Sequence, residues 1–161
     1  MPAPHVTRQV LRFCDTDALG HVNNAVYSVM LEAGRSELAL AAGLLDPAAG
    51  HTVVLVRLEL DFLREITWPG EVTIETWVSH IGNKSARLSQ RVLAGATESA
   101  RASTVIAMLS TATRRAIPFT QAWRTALAPW TIPDAPTHDA APRDGAQGTA
   151  AVQGSPGSVS R

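Results

Sequence analysis

One long apolar helical run, placed ahead of several alternating stretches, does most to limit what this chain can become. Residues 25–42 carry Ala25, Val26, Tyr27, Val29, Met30, Leu31, Ala33, Leu38, Leu40 and Ala41 around most of a helix circumference. The clearest polar stripe is Ser28, Glu32, Arg35 and Ser36. A helix with so narrow a polar face is expected to be enclosed by other structure. Asparagine is among the best N-caps, so the helix should begin at Asn23 or Asn24, with Gly43 as its stop. Gly34 costs about 1 kcal/mol relative to alanine inside a helix, which points to close backbone packing there.

The flanking segments read as strands. Residues 6–13 precede the helix; residues 52–63, 71–81, 85–94 and 98–113 follow it, rich in β-branched residues and alternating with period two. Val72, Ile74, Thr76 and Val78 share one side, and Thr73, Glu75 and Trp77 the other. Turns fall at Pro69-Gly70, Gly82-Asn83 and around Gly95, so the last three strands form an antiparallel meander. The expected architecture is α+β: a curved antiparallel five-stranded sheet with the helix against its concave face. Outward-facing apolar residues, Trp77 among them, point to a second subunit covering part of the sheet.

The chain of 161 residues suits one domain, expected over residues 1–130. From Asp134 onward there is no aromatic residue, and residues 131–161 are expected to form a flexible Ala/Gly/Pro/Ser-rich tail. Fourteen basic residues balance fourteen acidic ones, so nothing advertises nucleic acid or an acidic membrane. The N-terminus lacks a secretory pattern and no window is long enough to span a bilayer, so a cytoplasmic protein is expected. A single cysteine, Cys14, excludes an internal disulfide and reads as a small buried hydrophobe. His5, His51, His80 and His138 have no metal-ligand spacing, and no metal is expected.

The chemistry is concentrated in "RFCDTDALGHVNNAVYSVMLEAGR", residues 12–35. The segment Asp15-Thr16-Asp17, the run Gly20-His21-Val22-Asn23-Asn24 and Tyr27 carry a resemblance to the hotdog-fold acyl-CoA thioesterases of the 4-hydroxybenzoyl-CoA thioesterase type. Asp61-Phe62-Leu63-Arg64 before Pro69-Gly70, "IGNKSARL" and "RRAIPF" are similar to later signposts of that family, so the likeness covers about residues 8–127. It implies hydrolysis of an acyl-CoA thioester without metal or cofactor. It also implies a homodimer, or a homotetramer built from dimers, with two sheets side by side and active sites at the interface.

The resemblance assigns catalysis to Asp17, as general base or as nucleophile forming a mixed anhydride. Read from the residues alone, Asp17 is equally a turn-forming aspartate bonded to local backbone. The N–H groups of a helix start lack helical partners and suit a developing oxyanion, so the backbone of Asn24, with a neighbouring amide, is the expected polarising group. His21 either donates to the carbonyl, positions Asp17, or is a neutral packed histidine. Asp15 is expected to hold the loop. Asn23 and Tyr27 are expected at the substrate, and Arg64, Asn83, Lys84, Ser85 and Arg87 as binders of coenzyme A phosphates. Glu32 is a reserve carboxylate on the helix. The rival activities are a hydratase or dehydratase of enoyl or hydroxyacyl thioesters on the same fold, and a non-catalytic acyl-CoA-binding module.

Overall fold

A computed structural model describes residues 1–133. The chain runs β1 (His5–Val10), a 3-10 turn (Phe13–Asp15), α1 (Asn24–Ala41), a 3-10 turn (Pro47–Ala49), β2 (His51–Phe62), β3 (Glu71–Ile81), β4 (Ser85–Ala94) and β5 (Thr97–Ser110). It closes with α2 (Gln121–Leu127) and a 3-10 turn (Ala128–Trp130). The five strands form one antiparallel sheet in the order β1-β3-β4-β5-β2. This is the hotdog arrangement expected from the sequence, with the meander β3-β4-β5 at its centre. Most of the expected flexible tail lies outside the described residues.

α1 packs on one face of the sheet through Tyr27, Met30, Leu31, Gly34, Leu38 and Ala39. The alternation supplies the opposing wall, because Val72, Ile74 and Val78 of β3 and Val92 and Leu88 of β4 are almost fully buried. Burying each such side chain fully is worth about 1.5–3 kcal/mol before entropy is counted. Two apolar clusters result, one around Leu31 and Ile74, the other around Leu38 and Met108. Between them lies a row of buried polar groups. Gln90 donates to the Leu31 carbonyl (2.9 Å) and the Thr76 hydroxyl (3.0 Å), and its side-chain oxygen accepts from Arg35 and Thr104 (3.2 Å each). All four hydrogen-bonding positions of this buried amide are therefore filled, which is what makes its burial tolerable.

Gly34 sits where the helix crosses that row. A Cβ there would stand 2.7 Å from the Thr76 hydroxyl and 2.8 Å from Ile74 Cγ2, so the close approach expected from the sequence is real.

Four expectations need correction. The first strand stops at Val10, because Asp15 takes the Arg12 N–H (2.7 Å) and bends residues 13–15 into a 3-10 turn. Cys14, in that turn, is exposed rather than buried. Trp77 does face away from the helix, but its own chain covers it to 6% exposure: it pairs with Ser89 across β4, and the Arg91 guanidinium lies 5.8 Å from its ring centroid. Finally, α1 is enclosed on the sheet side only; Val29 and Leu40 on its outer side are 59% and 66% exposed.

α2 was not anticipated. At seven residues it is too short for a periodic signal, and it is fixed by Thr120, whose hydroxyl accepts the Trp123 N–H, and by Arg124, which donates to the carbonyls of Ile81 and Gly82. Of the expected anchors, Leu127 joins the second apolar cluster, and Trp123 and Trp130 pack against it half-buried.

Candidate active site

The segment between β1 and α1 folds as a tight turn because of what its side chains offer the backbone. The Asp17 N–H donates to the His21 carbonyl (2.9 Å), and the Gly20 N–H to the Asp17 carbonyl (3.1 Å). Gly20 adopts φ +82°, a left-handed conformation that suits glycine. Asp17 Oδ1 accepts the Leu19 N–H at 2.8 Å, with a longer contact from the His21 N–H at 3.4 Å. The local turn bonds suggested by the residues alone are thus present. They occupy one carboxylate oxygen; among the described residues, Oδ2 has no hydrogen-bond partner.

Asp15 is buried and braces the same turn. Its carboxylate accepts from the Arg12 side chain (2.7 Å) and the Arg12 backbone N–H, in that order of effect, and both hold its pKa below the usual carboxylate range. The Asp15 carbonyl accepts the Asn23 N–H (2.8 Å), delivering the chain to the helix start.

At that start the Asn23 side chain caps the helix by accepting the Ala25 N–H (2.9 Å), which commits that amide. The Asn24 N–H has no acceptor among the described residues. Of the two amides expected to polarise a carbonyl, only that of Asn24 is therefore free.

A second loop, between β2 and β3, completes the site. The Val22 N–H donates to the Ile66 carbonyl (2.8 Å), and His21 bridges Thr67. This pairing carries Arg64 and Glu65 to the turn. His21 Nε2 lies 3.2 Å from Glu65 Oε2. Tyr27, 2% exposed, meets the ring of Phe62 edge-to-face with centroids 5.2 Å apart. Burial, and secondarily the charge of Glu65, raises the Tyr27 pKa.

Asp17, His21, Asn24, Tyr27, Arg64 and Glu65 line one open cavity of about 330 Å³. Five of these were expected from the sequence. Glu65 was not, since a lone carboxylate in a loop carries no sequence signal; only backbone pairing brings it to His21. Asn23 stays at the cap. Asn83, Lys84, Ser85 and Arg87 lie elsewhere: Ser85 pairs Ala107, whereas Phe62 at the cavity pairs Ala100. Seven residues along β5 separate the two places, roughly 24 Å at strand rise. Glu32 lines a different cavity beside the later turns of α1. Among the described residues no cluster of three or more potential metal ligands occurs, and no helix is long and apolar enough to cross a membrane.

Comparison with known proteins comes to the same region of the chain. A family model described as the thioesterase-like superfamily matches residues 11–127. No curated protein matches the sequence. Among solved structures, the chain is similar to a predicted thioesterase from Bacillus stearothermophilus, at 27% identity and TM-score 0.74, over 81% of this chain and 98% of that one. It is similar to a probable thioesterase from Bartonella henselae at 26% identity and TM-score 0.67, over 73% and 100%. A Staphylococcus aureus protein in complex with CoA shares the fold at 15% identity and TM-score 0.73, over 81% and 85%.

Proposed function

The chain belongs to the thioesterase-like superfamily, whose chemistry is thioester hydrolysis, and from that premise we propose that it cleaves acyl-CoA to the free acid and coenzyme A. The observation that carries this reading is the pairing of one uncommitted carboxylate oxygen, on Asp17, with one uncommitted helix-start amide, on Asn24, in a single cavity. Choosing a coenzyme A ester follows from the Staphylococcus aureus protein of the same fold, which is known in complex with CoA.

Attack on a thioester places negative charge on the carbonyl oxygen. The Asn24 N–H donates to that oxygen, reinforced by the positive end of the α1 dipole. Asp17 Oδ2 either takes a proton from the attacking water or attacks the carbon itself. The first route releases acid directly; the second passes through an anhydride that water opens. Thiolate leaves in both and takes up a proton. His21, held by Glu65, stands beside this centre, and Arg64 offers a cation to the nucleotide side.

The proposed working unit is a homodimer. β2 is an edge strand of 12 residues, and Leu55 and Val56 are 50% and 62% exposed on it. A long apolar edge is a pairing surface, and a second copy satisfies it by joining β2 to β2 about a twofold axis. The partner's β3–β4 turn then becomes the source of the Lys84 cation for coenzyme A. Sedimentation should give twice the 17.1 kDa chain mass. Val56→Glu, which puts charge on the edge, is expected to shift the protein to monomer and to lower activity with it. A wild-type protein that sediments as a monomer would overturn the dimer.

The decisive assay is release of free thiol from acyl-CoA. Thiol should appear in proportion to acid. Reversible loss of enoyl absorbance without thiol would instead identify a hydratase, and binding of acyl-CoA with neither signal a non-catalytic module.

A further inference from the structure

A second cavity, of about 140 Å³, lies between the later turns of α1 and the inner face of the sheet. Its walls are apolar, formed by Leu38, Val53, Leu55, Leu88, Ile106 and Leu127, with Glu32, Arg35 and Ser36 as its polar side. An apolar cavity of about 150 Å³ accommodates a benzene ring, so this one suits a segment of about six carbons.

Arg35 is the unusual member. It is half-buried, and burial lowers its pKa from the ordinary guanidinium value. Its hydrogen bond is to the neutral side-chain oxygen of Gln90 (3.2 Å). No carboxylate among the described residues forms an ion pair with it; Glu32 is exposed and acts only at longer range. A partly desolvated cation whose counter-charge is an exposed carboxylate beyond ion-pair distance costs stability that a bound anion would restore. The guanidinium fork also fits a carboxylate with two parallel hydrogen bonds.

The strand β2 runs past both this cavity and the one at Asp17. Val53 and Leu55 line the former and Phe62 the latter, with the half-buried Leu58 and Leu60 between them on the inner face. Along α1, Arg35 stands eleven residues beyond Asn24, roughly 16 Å at helical rise. Less about 3 Å for a hydrogen bond at the Arg35 end, and at about 1.2 Å per bond of an extended chain, that distance leaves roughly 11 bonds, or about twelve carbons.

We propose that the Arg35 cavity receives the far end of the acyl chain and selects thioesters of about twelve carbons that end in a carboxylate. This inference rests on the thioesterase reading and names its substrate class. A coenzyme A phosphate, with up to two charges and more oxygens to strip of water than a carboxylate, fits these leucine walls less well.

The test compares dodecanedioyl-CoA with dodecanoyl-CoA. Wild-type kcat/KM should favour the diacid ester by at least ~10-fold, carried by KM. In Arg35→Met the ratio should fall close to one, and Arg35→Lys should recover part of it. Equal activity of the wild type on the two esters, or equal losses on both in Arg35→Met, would overturn the proposal, the second result making Arg35 a support for Gln90. Calorimetry with the free diacid and with dodecanoic acid reads the cavity without hydrolysis. Tighter binding of the diacid by wild type supports the proposal even if no ester turns over, a result that would sink only the hydrolase reading. Equal binding of the two acids overturns it. Loss of affinity for free coenzyme A in Arg35→Met, matching the loss for the diacid, would assign the anion to the nucleotide and overturn it as well.

Discussion

Asp17→Asn is expected to leave the protein folded and to lower turnover by at least ~100-fold, the usual scale for removing a positioned acid–base group. The substitution is chosen for what it keeps. Asparagine retains a side-chain oxygen that can accept the Leu19 N–H, so the turn through Gly20 persists. It removes the negative charge and the second carboxylate oxygen, which is the one without a hydrogen-bond partner among the described residues. Thermal unfolding and acyl-CoA affinity should therefore stay near parental values, affinity within severalfold, while the rate of thiol release collapses. A variant that turns over as fast as its parent would show that Asp17 only shapes the loop.

Gly34→Ala should produce the largest loss of stability from a single methyl group. Helix propensity alone would favour alanine by about 1 kcal/mol. Against that, the added carbon meets the Thr76 hydroxyl at 2.7 Å, Ile74 Cγ2 at 2.8 Å and Gln90 Nε2 at 3.2 Å. Relief requires the helix to lift from the sheet, which lengthens the Gln90 bond to the Leu31 carbonyl and loosens both apolar clusters beside it. Overpacking of this kind costs about 1–3 kcal/mol and can cost more, so the net effect is destabilising. The midpoint of thermal unfolding should fall by several degrees. A rise in midpoint would mean that the helix tolerates the shift and that the row of polar groups adapts.

Both predictions draw on residues visible in the sequence, yet they differ in how they were found. Asn24 could be singled out because the amides of a helix start lack helical partners, whereas Asp17 came from the resemblance carried by residues 15–27, local rules alone making it a turn-former. Gly34 was suspect for its cost in a helix, but its neighbours Thr76 and Gln90 lie in distant strands. Glu65 had no such local mark. It enters the site because the loop after β2 pairs with the turn after β1, an event some forty residues apart in the chain. Trp77 went the other way: alternation correctly set its face, but could not show that Arg91 covers it.

By itself the sequence determined the order of elements, the faces of the central strands and the polar turn at the helix start, all consequences of side-chain period and of backbone groups satisfied within a few residues. Tertiary structure alone decided which amide stays free, which carboxylate joins His21, and where the Lys84 turn lies relative to Asp17. Those depend on strand register and on packing between segments far apart in the chain, where no short-range rule operates.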